Sequence, residues 1–379
     1  MLRFHSLRVA EVRPDADDAV VVTLDVPEDL REVYRGLPGQ HVVLRASIEG
    51  EEVRRTYSLV SLPGEPVLRI VVRVHRDGRM SRYLAEKVCV GESLDVMPPN
   101  GSFTPRSASS NRKTSVAFAS GCGITPVFAI MRAVLAADAD NRFILFYGNT
   151  GMSRAMCLEE LLALKDRHMG RLALHFVMSR EPQEVDLYNG RLDAERVRRV
   201  AQTLFDPGNV ADYFICGPGK MSHEIGVTLR ALGASTERIH VEHFYVDDEL
   251  KEISAATATA TSAPQEVARR EAPIRATAAT SVATGAQAEV TIVMDGRRRS
   301  FTMRMNDETV LEAAARAGLE LPFSCRAGVC STCRTKVVRG EVEMQQNYAL
   351  EEGELQEGYI LACQSRVKTP VLELDYDEK

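Results

Sequence analysis

The stretch Cys325-Arg-Ala-Gly-Val-Cys330-Ser-Thr-Cys333, answered by Cys363, constrains this chain more than any other. Gaps of four, two and twenty-nine residues separate the four cysteines. Four thiolates are the ligand set of a two-iron, two-sulfur (2Fe-2S) cluster, and this is one of its recurring spacings. Small residues between the first three (Ala327, Gly328, Ser331, Thr332) let a short loop wrap an inorganic core and turn backbone N–H groups toward its sulfurs. Cys330 and Cys333 alone would equally suit zinc. Cys325, and Cys363 within a strand-like run, tilt the set toward the cluster. Such a cluster carries one electron at a time, so the rest of the chain is read for a source of electrons.

A length of 379 residues predicts two or three domains. The net charge of −6 argues against nucleic acid as the main partner. No apolar run reaches membrane-spanning length. Met1–Pro14 has no apolar core of a signal peptide. The cysteines outside the motif (Cys89, Cys122, Cys157, Cys216) are scattered singly, which fits a reducing cytoplasm better than a disulfide framework.

In the first hundred residues, Leu7–Val12, Val20–Leu24, His41–Arg45, Arg55–Val60, Leu68–Val74 and Ser93–Val96 read as short strands, with turn residues between them. With one helical piece, Ser81–Val88, they predict a small antiparallel β-barrel. Two motifs lie on it. Arg55-Thr-Tyr57-Ser58 offers a cation, a flat aromatic and a hydroxyl on one rim. Gly78-Arg79-Met80-Ser81 is a glycine-led turn opening a helix, a start that presents N–H groups to a phosphate. Either alone occurs by chance; in this order, about twenty residues apart, they become specific.

By these motifs the chain resembles the ferredoxin–NADP reductase superfamily, whose R-x-Y-S strand and later G-x-x-S turn hold a flavin. The resemblance implies that Arg55 pairs with the pyrophosphate of FAD, that Tyr57 stacks on the isoalloxazine, and that Ser58 sits near its N5. It also implies backbone contacts from Val72, Arg73 and Val74 to the ring edge, and phosphate binding by Met80 and Ser81. Pro98–Phe103 is similar to the segment that closes this domain in the family.

From Lys113 the pattern changes to strands (Ser115–Ala119, Phe143–Tyr147, Ala173–Met178, Tyr213–Cys216, Ile239–Val241) alternating with helices (Thr125–Ala137, Ser153–Asp166, Ala194–Gln202, Met221–Leu232). This predicts an α/β doubly wound parallel sheet with a ligand site at the carboxyl ends of its strands. Gly121-Cys122-Gly123-Ile124-Thr125-Pro126 stands at the first such end, with Thr125 able to cap and Pro126 suited to the first helical position. On pattern alone this is an anion-binding helix start or a plain strand–helix turn. It is similar to the G-x-G-I-[TA]-P turn of the superfamily, with Cys122 where Ser or Thr is common. Cys216-Gly217-Pro218, with Met221 beyond it, resembles the C-G-P segment beside the nicotinamide; read by itself, Cys216 is also an ordinary small buried residue. Ser179-Arg180 resembles the pair that grips the 2′-phosphate of NADPH, a group suited to a planar guanidinium, although a loop Arg is as often simply solvated. Val241–Tyr245 resembles the family's closing acid-plus-aromatic segment, which implies that Phe244 lies near the flavin.

Glu252–Ala288 is rich in Ala, Thr and Ser and has no aromatic residue, so it cannot bury enough to fold alone. Gln265–Glu271 is long enough for a turn or two of helix. A flexible chain of this length spans about 33 Å, reach enough for a cluster to load at a flavin and swing to a partner. Glu289–Met294 and Ser300–Met305 read as a hairpin across Asp295-Gly296, and Asp307–Thr309 opens a helix that runs to Ala317 with Gly318 as its stop. Lys336–Val338, Gln356–Gln364 and Val371–Leu374 read as later strands, a pattern that resembles the β-grasp of plant-type ferredoxins. Glu351–Glu354 reads as a solvated acidic turn or a docking surface for a basic partner.

The expected layout is therefore an FAD-binding barrel over residues 1–106, an NAD(P)-binding domain over 107–248, a flexible linker over 249–288 and a 2Fe-2S ferredoxin domain over 289–379, with Cys325, Cys330, Cys333 and Cys363 as iron ligands. The resemblance implies an NAD(P)H-dependent oxidoreductase in which Ser58 and Cys216 frame hydride transfer to the flavin and the cluster receives single electrons. No paired Glu-x-x-His motif appears, so oxygen chemistry is assigned to a separate polypeptide. The expected partner is a di-iron oxygenase acting on an aryl-CoA thioester. A Rieske-type or other oxygenase, or a desaturase, is the alternative, and a redox sensor without turnover is a reading from another class.

Overall fold

Two compact units make up this computed structural model, one spanning Arg3–Tyr245 and the other containing the C-terminal domain. The structure describes residues 3–105, 112–243 and 287–378. Phe244, most of the expected linker and the helical turn expected at Gln265–Glu271 lie outside the described residues.

The first unit begins with six antiparallel strands: β1 (His5–Pro14), β2 (Ala19–Asp25), β3 (His41–Ile48), β4 (Glu51–Ser58), β5 (Val67–Arg73) and β6 (Ser93–Val96). Their order is β4-β3-β6-β1-β2-β5. Alternation along the strands sends Leu7, Val9, Val22, Leu24, Val42 and Leu44 into one core. Helix α1 (Arg79–Glu86) packs Met80 and Leu84 into the same core. The outer strands β4 and β5 are joined by an isolated bridge, Leu59 to Ile70, and by Val60 N donating to Arg69 O at 2.9 Å. Beyond that bridge they form no ladder, so the barrel keeps a seam on one side.

The same unit continues into a five-stranded, all-parallel sheet of order β11-β10-β7-β8-β9, built from β7 (Thr114–Ser120), β8 (Arg142–Asn149), β9 (Leu172–Met178), β10 (Tyr213–Gly217) and β11 (Ile239–His243). Helices α2 (Ile124–Ala137), α3 (Leu158–Arg167), α4 (Ala194–Thr203) and α5 (Gly219–Ala231) make the crossovers. Chain order reverses between β7 and β10, so the crevice of a doubly wound sheet opens above that pair. Barrel and sheet share a core: Ala19, Val21, Val60 and Val71 pack with Val127, Phe128 and Met131 of α2. Arg132 ties them further, donating to Val60 O at 2.8 Å and pairing with Glu65 at 2.8 Å. The helix expected from Ser153 begins at Leu158. Before it, Met152–Arg154 is a 3-10 turn, and Cys157 takes a left-handed φ of 58°, its amide donating to Asp15 Oδ2 at 2.9 Å.

The C-terminal unit pairs β12 (Gln287–Met294) with β13 (Arg297–Arg304) through Asp295 and Gly296, both at positive φ, as a tight hairpin requires. Helix α6 (Val310–Arg316) starts with a capping box between Thr309 and Glu312. Strands β14 (Arg334–Arg339), β16 (Tyr359–Leu361) and β18 (Val371–Asp375) complete a sheet of order β13-β12-β18-β14-β16. Two three-residue strands, β15 (Val342–Met344) and β17 (Ser365–Val367), pair separately. Glu351–Glu354 is not a solvated turn. Glu351 caps a short helix, α7 (Glu352–Gln356), in a capping box with Glu354. The Glu354 carboxylate lies 3.0 Å from Arg334, and burial holds its pKa above the usual range. Among the described residues no helix is long and apolar enough to cross a membrane.

Candidate functional site

In the C-terminal unit the four cysteines come together as two pairs. Cys325 and Cys330 are hydrogen-bonded neighbours, and so are Cys333 and Cys363. The bond to Cys330, with burial, holds the Cys325 thiol far above its usual range, and the bond to Cys363 does the same for Cys333. Accepting from Cys333 lowers Cys363. The two pairs also feel each other's charge, so the four sulfurs cannot all be thiolates unless cations lie between them. Two pairs suit two irons with two sulfur ligands each. Three positions of the loop take left-handed backbone, Arg326, Gly328 and Ser331 with φ of 57°, 75° and 50°, a conformation only the glycine adopts at no steric cost. A Cβ at Gly328 would sit 3.0 Å from the Gln346 carbonyl. The loop aims donors at sulfur, as Ala327 N lies 3.4 Å from Cys325 Sγ and Gln364 Nε2 lies 3.7 Å from Cys363 Sγ. Cys363 is not in a strand. It occupies the turn between β16 and β17, where the chain folds back to present the fourth sulfur.

In the first unit, Arg55 and Tyr57 stand on β4 beyond the Leu59–Ile70 bridge, beside the seam. Arg55 and Tyr57 share one face of β4. Ser58 lies on the other face, directly across from His41 of β3. Leu59 N bonds Gln40 O, so His41 and Ser58 form a non-hydrogen-bonded pair with their side chains at closest approach. Val72 is buried in the barrel core, and Val74 N donates to Asp18 O at 2.7 Å. The Arg73 guanidinium is bound to Asp18 and to Arg154 O, so its side chain braces the barrel against the sheet. Ser81 Oγ accepts from His75 N and donates to Gly78 O at 3.2 and 3.3 Å, and no side chain caps the first backbone N–H groups of α1. The Met80 side chain belongs to the core. An open cleft of about 460 Å³ lies beside this turn, lined by Val74, His75, Arg76, Asp77, Arg82 and Glu86.

At the crevice of the parallel sheet, a Cβ on Gly123 would lie 2.2 Å from the Cys216 carbonyl oxygen, so only glycine permits this contact between the ends of β7 and β10. Gly121 has φ of 55°. Its carbonyl accepts from the buried Tyr147 hydroxyl at 3.0 Å, which in turn accepts from Met156 N at 3.0 Å. Thr125 does not cap α2. Its hydroxyl donates to Cys122 O at 3.0 Å, Pro126 stands third in the helix, and no side chain blocks the helix start. Gly217 packs against Ser120 and Met221, and the segment from Pro218 leads into an equally uncapped α5. Ser179 and Arg180 follow β9, their amides bonded to Asn149 O and Thr150 O at 2.9 and 3.0 Å, and the Arg180 side chain is exposed.

Two residues join these halves. Glu242 of β11 pairs in register with Cys216, and its Oε1 lies 3.7 Å from His41 Nδ1. Ser58, His41, Glu242 and Cys216 thus form a buried line from barrel to crevice, with relative exposures of 4%, 3%, 18% and 0%. His41 Nε2 and Glu242 Oε2 are buried without a protein partner. A polar ligand at this line would satisfy both. Burial, then Glu242 and Cys122, hold the Cys216 thiol far above its usual range, so it is an uncharged neighbour of whatever binds. His41 escaped the sequence reading because a single His on a strand carries no pattern; its signal was its register with Ser58.

Family models agree with this division. An oxidoreductase FAD-binding domain matches residues 8–104, an oxidoreductase NAD-binding domain 118–225 and a 2Fe-2S iron-sulfur cluster binding domain 292–368. The E subunit of 1,2-phenylacetyl-CoA epoxidase from Escherichia coli (strain K12) is 37% identical over 381 residues, covering 100% of this chain and 99% of that one. The chain belongs to the family of that protein. The ferredoxin reductase component of 3-ketosteroid-9-alpha-monooxygenase from Rhodococcus rhodochrous is 29% identical over 98% of this chain and 96% of its own. The fold matches that of phthalate dioxygenase reductase, with a TM-score of 0.54, 21% identity and 98% of each chain covered. Members of this family are NAD(P)H-dependent reductases of FAD and 2Fe-2S type that pass electrons to an oxygenase, and this chain is one of them.

Proposed function

We propose that this chain is the cytoplasmic reductase of a multicomponent di-iron oxygenase acting on an aryl-CoA thioester in phenylacetate breakdown, with NADPH as its donor. The observation that carries the reading is the full-length 37% identity to a component of the epoxidase. The bound groups supply a hydride donor, a flavin acceptor and a one-electron carrier. The residues of this chain bind and orient them. Arg55 holds the FAD pyrophosphate, Tyr57 stacks on the ring within the seam, and Val72, Arg73 and Val74 meet the ring edge through their backbone. The amides of Met80 and Ser81 take a phosphate. Gly121, Gly123, Thr125 and Pro126 form the turn that cradles the nucleotide. Cys216, Gly217, Pro218 and Met221 flank the nicotinamide, with Ser58 facing it across the buried line. Ser179 and Arg180 take the 2′-phosphate; the exposed Arg180 side chain supports this.

Anaerobic titration of the purified protein with NADPH and, separately, NADH, followed by absorbance and EPR, tests the relay. Bleaching of a flavin followed by a reduced-cluster signal is expected, faster with NADPH. No response to either nucleotide would sink the reading. Reconstitution with candidate oxygenases then tests the partner: turnover of an aryl-CoA thioester is expected, and turnover only with a Rieske-type oxygenase would favour the alternative.

A further inference from the structure

Glu181 follows Arg180 in the loop after β9 and reaches onto the loop after β8. Its Oε2 accepts from the Met152 amide at 2.7 Å, the first N–H of the 3-10 turn Met152–Arg154. Two backbone bonds run alongside, from Ser179 N to Asn149 O and from Arg180 N to Thr150 O. The loop that carries Arg180 is therefore fastened to its neighbour by main chain and by one carboxylate.

Gly151 makes room for that carboxylate. A Cβ at Gly151 would lie 2.8 Å from Glu181 Oε2, and the next nearest atoms, 3.8 and 3.9 Å away, also belong to Glu181. The φ of Gly151 is −167°, extended backbone that any residue adopts. What this glycine supplies is thus space for the Glu181 carboxylate, not backbone freedom. The Arg180 side chain is exposed and makes no ion pair among the described residues, although an acid is its neighbour in the chain. A carboxylate free at this end of the sheet would neutralise Arg180 and repel a phosphate. It would also accept from ribose hydroxyls, the contact that acidic residues make with a nucleotide lacking the 2′-phosphate. Tied to Met152 N, it is turned away from both tasks.

We propose that Glu181 is a specificity-determining residue: the Met152 amide, with the space left by Gly151, holds its carboxylate aside, and so leaves Arg180 free to take a 2′-phosphate. This rests on the reading that Ser179 and Arg180 take the 2′-phosphate of NADPH. The clamp sets nucleotide choice through where one charge is kept, and the residues beside the nicotinamide are not involved.

Calorimetric binding of NADP+ and, separately, NAD+ to the full-length protein with its flavin and cluster tests the clamp. Gly151→Ala pushes the carboxylate off Met152 N without altering any charge. It is expected to weaken NADP+ about fivefold and to leave NAD+ no weaker. Gly151→Ala combined with Glu181→Gln displaces an uncharged side chain instead, and NADP+ is expected to bind as in wild type. No loss of NADP+ in Gly151→Ala, an equal loss of NAD+, or the same loss in the combined variant would overturn the inference. Should Gly151→Ala not fold, Met152→Pro removes the donor at a turn position that tolerates proline. The same fall in NADP+ binding is expected there, and its absence would overturn the inference instead. Arg180→Ala addresses the underlying reading: NADP+ bound as tightly as by wild type would remove the 2′-phosphate site itself.

Discussion

The cysteine loop and the cleft between barrel and sheet are built on opposite principles. The loop's first three sulfurs lie within nine residues, and side chains do the binding. The cleft draws on β3, β4, β5, β7, β10 and β11, and much of what it offers is backbone: an open seam, uncapped helix starts, and glycines that let two loops touch. A side-chain site survives any backbone that brings its ligands together. A backbone site depends on the fold being right everywhere at once.

Five substitutions would break or sharpen that contrast. Cys333→Ser should abolish the cluster's EPR signal and stop electron flow to a one-electron acceptor, while NAD(P)H still bleaches the flavin; full transfer in this variant would refute the relay order. Gly123→Ala should be the backbone counterpart. Its Cβ would meet the Cys216 carbonyl at 2.2 Å, so a loss of about 2–4 kcal/mol is expected, read as a large fall in melting temperature. Gly121→Ala meets open space and should cost only the left-handed penalty, about 1–2 kcal/mol. If the two glycine variants melt alike, close approach is not what Gly123 supplies.

Arg55→Ala removes one charge-assisted contact and should weaken flavin binding about tenfold to a hundredfold, measured by the flavin retained after dialysis. Smallest is Asp15→Asn, at the carboxylate that accepts from the Cys157 amide. Burial raises the Asp15 pKa despite the hydrogen bond from Cys157 N. Folding thus favours the protonated acid. Its contribution is full below the ordinary aspartate value of about 3.9 and is lost as pH rises through the raised value. Asn keeps an acceptor without that loss, so the variant should match wild type near pH 3 (roughly, below the ordinary value) and melt slightly higher at neutral pH. A difference that does not change with pH would exclude this account.

The same contrast explains what could be read in advance. Strand and helix periodicity exposed the barrel, the doubly wound sheet and the hairpin with its capped helix, because each buries a regular stripe. The spacing of Cys325, Cys330 and Cys333 was legible because the ligands are local. The apolar run Ile360-Leu361-Ala362 reads as a strand through Cys363, whereas the chain turns there to deliver the sulfur. Strands β15 and β17 are three residues each and leave no period to detect. Glu351–Glu354 reads as solvated because a capping box and a half-buried Arg334 partner are invisible in composition. Thr125 was read as a cap, but the Cys122 carbonyl takes its proton. His41 gained meaning only when the strands set it beside Ser58 and Glu242.

The seam between β4 and β5 has a consequence for solubility. Past the Leu59–Ile70 bridge the two strands are not laddered to each other, and unladdered strands are templates for pairing with other chains. The flavin we propose at this seam would act as a cover strip as well as a redox group. Chains made where riboflavin is scarce should therefore aggregate more than their thermal stability alone would suggest, and light scattering of flavin-depleted protein, with and without added FAD, measures how much.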